Sequence, residues 1–309
     1  MSIFVRTTCA GMLDNITRKI DLMIIGAQKS GTTSLLRYLG EHPQIESHKA
    51  NEFSYFYSDE EYESGWAKAE EYYFGKKNSD KNFVVAKHAN LYSSAKAIER
   101  LYEQFPQCKL VLLLRNPVSR SYSSYLMEKM YDRVDYEFDE LPELLEKKDG
   151  RQLESWQEEA FIGFSKYDEH LENVFRFFKK EQVKVILFED FSSHPLSHCR
   201  NLFYWMGVEN DFFPRVRTVH NETTMVRSRM MSRMIRNIMV DNSVLKSALK
   251  KILPNRTASQ IGQKLREANR SGKSFPKMSP EMENYLNKLF HPHKQRLQDL
   301  TGLDLSAWK

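Results

Sequence analysis

The sequence predicts an α/β protein in three layers, with a central, mostly parallel sheet flanked by helices. Short apolar runs rich in branched residues have the length of buried strands. Segments with helical periodicity lie between these runs, and strands that alternate with helices form the crossover units of parallel sheets. The predicted strands are Leu22–Ile25, Phe83–Ala86, Leu110–Leu114 and Val183–Phe188.

Two segments between these strands carry an apolar stripe at helical spacing. They are Ser94–Phe105 and Phe164–Lys180, and both are predicted to be helices that face the core. From about Asn210 onward no clear strand is recognisable, so this part is predicted to consist of helices and loops. It ends in a helix from Pro280 to about Leu300.

Length and composition favour one domain over residues 1–309, because 309 residues with 41% hydrophobic side chains can build one large core. Asp59–Glu71 and Tyr131–Gly150 lack a clear core face and are predicted to be surface insertions. The formal net charge is +5, and Lys and Arg are concentrated between Phe212 and Arg266. This helical, basic C-terminal part from about residue 210 suits an anionic partner, although a solvated helical face would have the same charge.

The sequence predicts a cytoplasmic location. The first 25 residues lack the apolar core of a signal peptide, and no apolar run is long enough to span a bilayer. Cys9, Cys108 and Cys199 are few and widely spaced, which predicts free thiols. The Met- and Arg-rich segment Met225–Met239 could form a basic amphipathic helix on a membrane surface, but we favour ordinary packing for it.

A glycine-bounded loop directly follows the first predicted strand and precedes a helical stretch. Such a loop offers backbone N–H groups and the positive end of a helix to a phosphate. The spacing from Gly26 to Gly31 matches the P-loop of nucleotide triphosphatases, but Thr32 replaces the lysine that normally follows the second glycine. Lys29 inside the loop is the lysine available here, which disfavours an ordinary P-loop kinase or ATPase.

A second cluster follows the strand Leu110–Leu114. Arg115 stands at the carboxyl end of this strand, and Pro117 suits the first turn of a new helix. Ligands of open α/β sheets bind beyond the carboxyl ends of the strands, so Arg115 and the loop of Lys29 are predicted to face one crevice. A guanidinium with the hydroxyl of Ser123 is suited to a second phosphate, which implies a nucleoside with phosphates at both ends.

In these motifs the sequence resembles the sulfotransferases that use 3′-phosphoadenosine 5′-phosphosulfate (PAPS), and among them the carbohydrate type, with its heparan sulfate enzymes and bacterial relatives. The resemblance covers nearly the whole chain. The motif for the 3′-phosphate is similar to Arg115, Pro117, Arg120, Ser123 and Tyr125. A late glycine-and-basic loop that closes over the nucleotide is similar to Arg270–Pro276. The donor-binding residues implied are Gln28, Lys29, Ser30, Gly31, Thr32, Thr33, Ser34, Arg115, Ser123, Gly272 and Lys273.

The same resemblance implies three catalytic residues. Lys29 stabilises the charge that develops on the bridging oxygen of the donor, and Glu52 is the general base. The segment of Glu52 departs from the commoner Lys-Glu-Pro-His wording of the family. Lys87 matches the lysine of a Lys-Thr-Pro segment and could contact the sulfonate or the acceptor. His88, next to it, is a rival base.

The function expected from these residues is the transfer of a sulfuryl group from PAPS to a hydroxyl or amine (EC 2.8.2 type). We favour a carbohydrate acceptor, with lipid, phenol and small metabolite left open, and expect neither a required metal nor a nucleic-acid partner. One alternative is a nucleotide kinase that holds magnesium through Glu189–Asp190, a pair that we interpret instead as capping the next helix or ordering the loop around Phe191–Ser193. A second is a non-catalytic binder of anionic polysaccharide through Arg215–Arg256.

Four histidine-containing or terminal features and the oligomeric state are less specific in the sequence. His291 and His293 resemble half of a metal site, but no third ligand has a helpful spacing, and we interpret them as surface residues. His220–Asn221 falls where relatives carry a similar pair near the acceptor, and a loop is an equal interpretation. The final segment Leu300–Trp308 is similar to the C-terminal segment of the family, which has a structural role. Trp308 is therefore predicted to be a packing residue. Monomer and dimer both fit the sequence.

Overall fold

The computed structural model describes residues 18–76, 81–216, 224–226 and 270–308. The chain divides into two compact units. Unit 1 comprises Met1–Arg115 and Asp168–Arg217, and unit 2 comprises Asn116–Tyr167 and Thr218–Lys309. The single domain over residues 1–309 stays a prediction.

Unit 1 is built on a five-stranded parallel sheet. Its strands are β1 (Leu22–Gly26), β2 (Ile45–Ser47), β3 (Phe83–Lys87), β4 (Lys109–Leu114) and β5 (Val183–Leu187). Their spatial order is β2-β3-β1-β4-β5, and every neighbouring pair is parallel. The predicted α/β fold is therefore confirmed, and all four predicted strands are present with ends that differ by one residue. Within this sheet, the strand that the sequence did not predict is β2, because its three residues are too few to show a period of two.

Helices alternate with the strands along the chain, and those of the described residues are numbered in chain order. The helices, numbered along the chain, are α1 (Thr32–Gly40), α2 (Asp59–Glu63), α3 (Trp66–Tyr73), α4 (Ala95–Gln104), α5 (Pro117–Met130), α6 (Leu141–Leu145), α7 (Ser155–Phe161), α8 (Tyr167–Phe175), α9 (Phe188–Ser193), α10 (Pro195–Met206) and α11 (Pro280–Thr301). The predicted helix Ser94–Phe105 corresponds to α4, whose first turn is capped by the hydroxyl of Ser94.

Both faces of the sheet are buried, as a three-layer arrangement requires. Successive side chains of β1 alternate between the faces. Leu22 and Ile24 join a core cluster with α1 and α10, while Met23 and Ile25 point to the other face, and all four are fully buried. Strands buried on both faces explain why the sequence reads as continuous apolar runs rather than as an alternating pattern.

One prediction about the surface and one about a helix are wrong. The predicted helix Phe164–Lys180 is restricted to α8, because a short turn precedes it and Phe178, though buried, packs beyond its end. Asp59–Glu71 lies mostly at the surface, as predicted, and contains α2 and most of α3. Tyr131–Gly150 buries several apolar side chains that belong to short turns and so show no single period. They are Val134, Tyr136, Phe138, Leu141 and Leu144.

Unit 2 contains helices and a pair of short strands. The prediction of a strand-free C-terminal part is wrong at β6 (Thr224–Val226) and β7 (Arg270–Ser274), which pair antiparallel. Neither could be recognised from sequence, because β6 has three residues and β7 is polar throughout. Trp308 is buried and packs against Tyr167, with ring centroids 6.2 Å apart, which confirms its packing role.

None of the helices in the described ranges is both long and apolar enough to cross a bilayer.

Candidate active site

The loop between β1 and α1 makes a tight turn held by backbone hydrogen bonds. The N–H of Ala27 donates to the carbonyl of Leu113 in β4 at 2.7 Å, and the N–H of Ser30 donates back to Ala27 at 3.1 Å. Lys29 and Gly31 have positive φ angles of 71° and 83°. Gly31 directly precedes α1 as its N-cap residue and adopts a left-handed conformation, which glycine accommodates without steric cost.

The first turn of α1 is open toward the loop. No side chain caps it, and the N–H of Leu35 is the one that bonds back to the carbonyl of Gly31. The N–H groups of Thr32 to Ser34 therefore have no acceptor within the helix. The hydroxyl of Ser30 is fully buried and has no hydrogen-bond partner among the described residues. Orphaned donors at a positive helix end are what a phosphate group requires.

Gly26 is required at the end of β1 for a steric reason. A Cβ atom at this position would lie 2.3 Å from Cδ1 of Tyr92 and 3.1 Å from the carbonyl oxygen of Ala89. Such approaches are closer than van der Waals contact, so a larger residue would displace the ring or the strand. The glycine lets β1 and the segment after β3 approach closely beside the loop.

Arg115 follows β4 and lies beside the same loop, at the carboxyl ends of the strands. Its Nη1 donates to the carbonyl of Lys29 at 3.1 Å, and its guanidinium lies 5.1 Å from the centre of the Phe188 ring. The side chain is half-buried. Arg115 thus braces the backbone of the loop while its charge stays at the sheet edge, and its binding of a phosphate stays a prediction.

Lys87 and Glu52 form an ion pair at the end of β3. Nζ of Lys87 lies 2.7 Å from Oε1 of Glu52 and donates to Oγ1 of Thr33 at 3.3 Å. The Lys87 side chain is 1% exposed, whereas that of Glu52 is 37% exposed. A buried ammonium with a partly open carboxylate is therefore joined directly to the first turn of α1. The structure brings together three residues that the sequence predicted separately.

The carboxylate of Glu52 is held by both of its oxygens. Oε1 pairs with Lys87, and Oε2 accepts a hydrogen bond from the N–H of Ala89 at 2.9 Å. The backbone supports this arrangement, because the N–H of Phe53 donates to the carbonyl of Lys87 at 2.8 Å. The segment of Glu52 belongs to no helix or strand, so these contacts fix its position.

His88, the rival base, is buried beside this pair. Its ring stacks on that of Tyr57 with centroids 4.3 Å apart. Burial, with the positive charge of Lys87 as a second cause, lowers the pKa of His88 to about 4. The imidazole is therefore neutral and a weak base near pH 7.

Two further residues were missed by the sequence analysis. His48 is buried, and its Nε2 accepts a hydrogen bond from the N–H of Lys87 at 3.1 Å. The hydroxyl of Tyr73 accepts a hydrogen bond from the N–H of Ser54 at 2.9 Å. His48 lies four residues before Glu52, but nothing in that spacing indicates a contact with a strand 39 residues away.

Two members of the predicted 3′-phosphate motif have structural roles in unit 2. Arg120 is fully buried, and its guanidinium donates to the hydroxyl of Ser165 and, at 2.8 Å each, to the carbonyls of Ala160 and Phe161. Tyr125 is also buried, and its hydroxyl donates to a backbone carbonyl at 2.8 Å. These contacts bind α5 to neighbouring turns of unit 2.

Ser123 and the late basic segment also belong to unit 2. Ser123 lies half-exposed on α5. Beside it, the hydroxyl of Tyr122 donates to the carbonyl of Pro276 at 2.6 Å. Gly272 and Lys273 lie in β7, so this part of the predicted closing loop is a strand. Donor binding by these three residues stays a prediction.

Other candidate residues lie elsewhere. Asp190 contacts Nδ1 of His194 at 3.0 Å and Nε2 of His198 at 2.8 Å, so it orders the junction of α9 and α10. The predicted loop around Phe191–Ser193 is part of α9. His291 and His293 lie at the surface of α11. Three predicted segments fall largely outside the described residues. They are Arg215–Arg256, His220–Asn221 and Met225–Met239.

A parallel α/β sheet with a phosphate-type loop, an arginine at the carboxyl ends of the strands and a lysine–glutamate pair defines the class of α/β proteins whose ligand site lies at that end of the sheet. Comparison with known families specifies the class further. The family model of the sulfotransferase domain matches residues 19–301, and the chain therefore belongs to the sulfotransferase family.

Curated relatives and a solved structure agree with this family. The bifunctional heparan sulfate N-deacetylase/N-sulfotransferase 1 of Xenopus laevis is 27% identical over 197 residues, which cover 61% of this chain and 22% of that protein. The chain thus spans about a fifth of the length of such relatives. The heparan sulfate glucosamine 3-O-sulfotransferase 5 of Mus musculus is 23% identical over 92% of this chain and 72% of its own length. The crystal structure of a sulfotransferase from Alicyclobacillus acidocaldarius has the same fold, with a TM-score of 0.64 and 23% identity over 94% of this chain and 99% of the other.

Proposed function

We propose that this sulfotransferase moves a sulfuryl group from PAPS to a hydroxyl or amine of a carbohydrate. The observation that carries the proposal is the Lys87–Glu52 pair, which is joined through Thr33 to the phosphate-type loop. A carboxylate able to accept a proton is thereby linked to the element that would hold the donor. The sulfotransferase family supports the class of reaction.

The residues of the loop fit the 5′-phosphosulfate of the donor. The buried hydroxyl of Ser30 and the open first turn of α1 supply hydrogen-bond donors, and Lys29 supplies a positive charge. Arg115 beside the loop would hold the 3′-phosphate. Contacts of Ser123, Gly272 and Lys273 with the nucleotide stay predictions from the sequence. The donor supplies an activated sulfuryl group. The protein therefore has to position donor and acceptor and to provide positive charges and a base.

In the proposed reaction, the acceptor oxygen or nitrogen forms a bond to sulfur while the bond from sulfur to the 5′-phosphate oxygen breaks. The proton of the acceptor passes to the carboxylate of Glu52. Lys29 stabilises the charge that the leaving phosphate acquires, and Lys87 holds the carboxylate of Glu52 in its orientation. The second product is adenosine 3′,5′-bisphosphate.

The names of two relatives support a carbohydrate acceptor, because both act on heparan sulfate. Tyr57, whose ring stacks on that of His88 next to Lys87, is 41% exposed and offers an aromatic surface for a sugar ring. A cytoplasmic location is likewise a proposal from the sequence.

The kinase alternative loses its main support, because Asp190 is engaged by two histidines of the α9–α10 junction. The polysaccharide-binder alternative gives no reason for a fixed lysine–glutamate pair beside a phosphate-type loop. Neither alternative is favoured by a particular contact in the described part of the chain.

The test is calorimetric titration of the protein with adenosine 3′,5′-bisphosphate, without magnesium, beside ATP and the variants Lys29→Ala and Arg115→Ala. We expect binding in the micromolar range that weakens at least tenfold in Arg115→Ala, with ATP much poorer. Each lost charged hydrogen bond is worth about 1.5–3 kcal/mol, or roughly 10- to 150-fold in affinity. A preference for ATP that depends on magnesium would overturn the proposal.

A further inference from the structure

The segment that carries Glu52 needs an explanation for its fixed position. It is an irregular loop between β2 and α2, and such loops are usually more mobile than the strands beside them. Its carboxylate nevertheless meets a strand residue at 2.7 Å. A proton acceptor that moved by one ångström relative to the donor would lose much of its effect on the rate.

Tyr73 attaches this segment at both ends. Its backbone carbonyl accepts a hydrogen bond from the N–H of Lys49 at 3.1 Å, three residues before Glu52. Its hydroxyl accepts one from the N–H of Ser54 at 2.9 Å, two residues after Glu52. The hydroxyl in turn donates to Oε2 of Glu61 at 2.7 Å, which orients it as an acceptor toward Ser54.

His48 attaches the other half of the pair. Its Nε2 accepts the N–H of Lys87, so the ring must be neutral, with its proton on Nδ1. Burial first, and the charge of Lys87 second, lower the pKa of His48 to about 3, which keeps the ring neutral at ordinary pH. The rings of His48 and Tyr73 meet edge to face at 6.1 Å, and both contact the buried ring of Phe53.

We propose that His48 and Tyr73 are positioning residues, which hold the Lys87–Glu52 pair at a fixed place beside the phosphate-type loop. The proposal rests on the proposed function in one respect, namely that Glu52 accepts the proton of the acceptor. Neither residue reaches the reacting atoms. His48 acts through the backbone of Lys87, and Tyr73 acts through the two flanks of Glu52.

The test compares His48→Leu, His48→Gln and Tyr73→Phe with a matched control, His42→Leu. His42 is also buried in unit 1 and forms two hydrogen bonds, but it packs against Phe203 and Phe212 instead of the Lys87–Glu52 pair. Activity is measured with PAPS and a desulfated heparan-type oligosaccharide. Affinity for adenosine 3′,5′-bisphosphate and the melting temperature are measured in parallel.

We expect His48→Leu to lower kcat by about 10- to 100-fold, while the KM for PAPS and the affinity for the bisphosphate stay within about twofold. His48→Gln should recover most of kcat, because its amide oxygen can accept the N–H of Lys87. Tyr73→Phe should lower kcat in the same way and faster amide exchange should appear at Ser54. His42→Leu should lower the melting temperature without lowering kcat.

The proposal is overturned if His48→Leu keeps the kcat of the wild type, if His48→Gln is as impaired as His48→Leu, or if His42→Leu loses as much activity. Amide hydrogen exchange separates this failure from a failure of the proposed function. If the wild type transfers no sulfuryl group, the proposed function fails, and faster exchange at Lys87 in His48→Leu alone then decides whether the attachment exists. Unchanged exchange there overturns it.

Discussion

Lys87 illustrates how a single side chain is stabilised at the candidate site. A buried ammonium costs several kcal/mol unless a partner of opposite charge and further hydrogen bonds compensate for the lost hydration. Glu52 and Thr33 provide that compensation. Glu52 is the more exposed partner, and its free surface is available to an acceptor. The same ion pair thus explains both why the buried lysine is tolerated and how the carboxylate is held in place.

Replacement of Glu52 by glutamine should lower kcat by about 10²- to 10⁴-fold, because an amide cannot accept the proton of the acceptor. The amide oxygen can still receive the hydrogen bond of Ala89, so affinity for adenosine 3′,5′-bisphosphate should change little. Steady-state kinetics and calorimetry measure the two effects. His88→Gln is the control, with kcat within a few-fold of the wild type. The opposite pattern would make His88 the base.

At the scale of elements, the position of α5 gives two arginines of one sequence motif different surroundings. Asn116 accepts hydrogen bonds from the N–H groups of Val118 and Ser119, and Pro117 occupies the first helical position, so the start of α5 is fixed locally. Five residues after Arg115, Arg120 points into the interior of unit 2. Two arginines of one motif therefore have different surroundings, because one precedes the helix and the other lies on its buried face.

Arg120→Met should lower the free energy of unfolding by about 3 kcal/mol, because it leaves the carbonyls of Ala160 and Phe161 without their charged donor. Affinity for the bisphosphate should stay within about twofold. Arg115→Met should show the reverse, with a large loss of affinity and a smaller loss of stability. Urea unfolding and calorimetry give the two values for each variant. A loss of bisphosphate affinity in Arg120→Met at unchanged stability would return Arg120 to the phosphate site.

At the scale of the whole molecule, burial of neutral histidines couples stability to pH. The pKa of His48 falls to about 3 and that of His88 to about 4, whereas an unfolded histidine has a pKa near 6.5. Between pH 6.5 and these lowered values, the unfolded chain binds protons that the native chain does not. The free energy of unfolding must therefore fall as the pH decreases through this window, and it gains nothing from these two groups above pH 6.5.

Each of the two histidines can contribute at most about 1.4 kcal/mol per pH unit to this loss. We expect urea unfolding at a series of pH values from 7 to 4.5 to show decreasing stability. In His88→Gln the free energy of unfolding should decrease less steeply with falling pH, by up to about 1.4 kcal/mol per pH unit, because glutamine does not titrate. Equal slopes in the variant and the wild type would show that His88 is not held neutral by the fold.

The sequence by itself determined the features that depend on neighbouring residues. Branched apolar runs specify the strands, Gly26 and Gly31 specify the turn into α1, and Asn116 with Pro117 specifies the start of α5. From these features followed the α/β class, the phosphate-type loop and the place of Arg115. Local backbone preferences are enough for such predictions, because each involves only a few consecutive residues.

The tertiary structure decided which distant residues meet. Glu52 and Lys87 are 35 residues apart, and His48 and Lys87 are 39 apart, and they meet because β3 lies between β1 and β2 in the sheet. Strand order and burial likewise separate the roles of Arg115 and Arg120, which look alike in the sequence. Long-range contacts depend on the packing of whole elements, and no pattern of neighbouring residues encodes that packing directly.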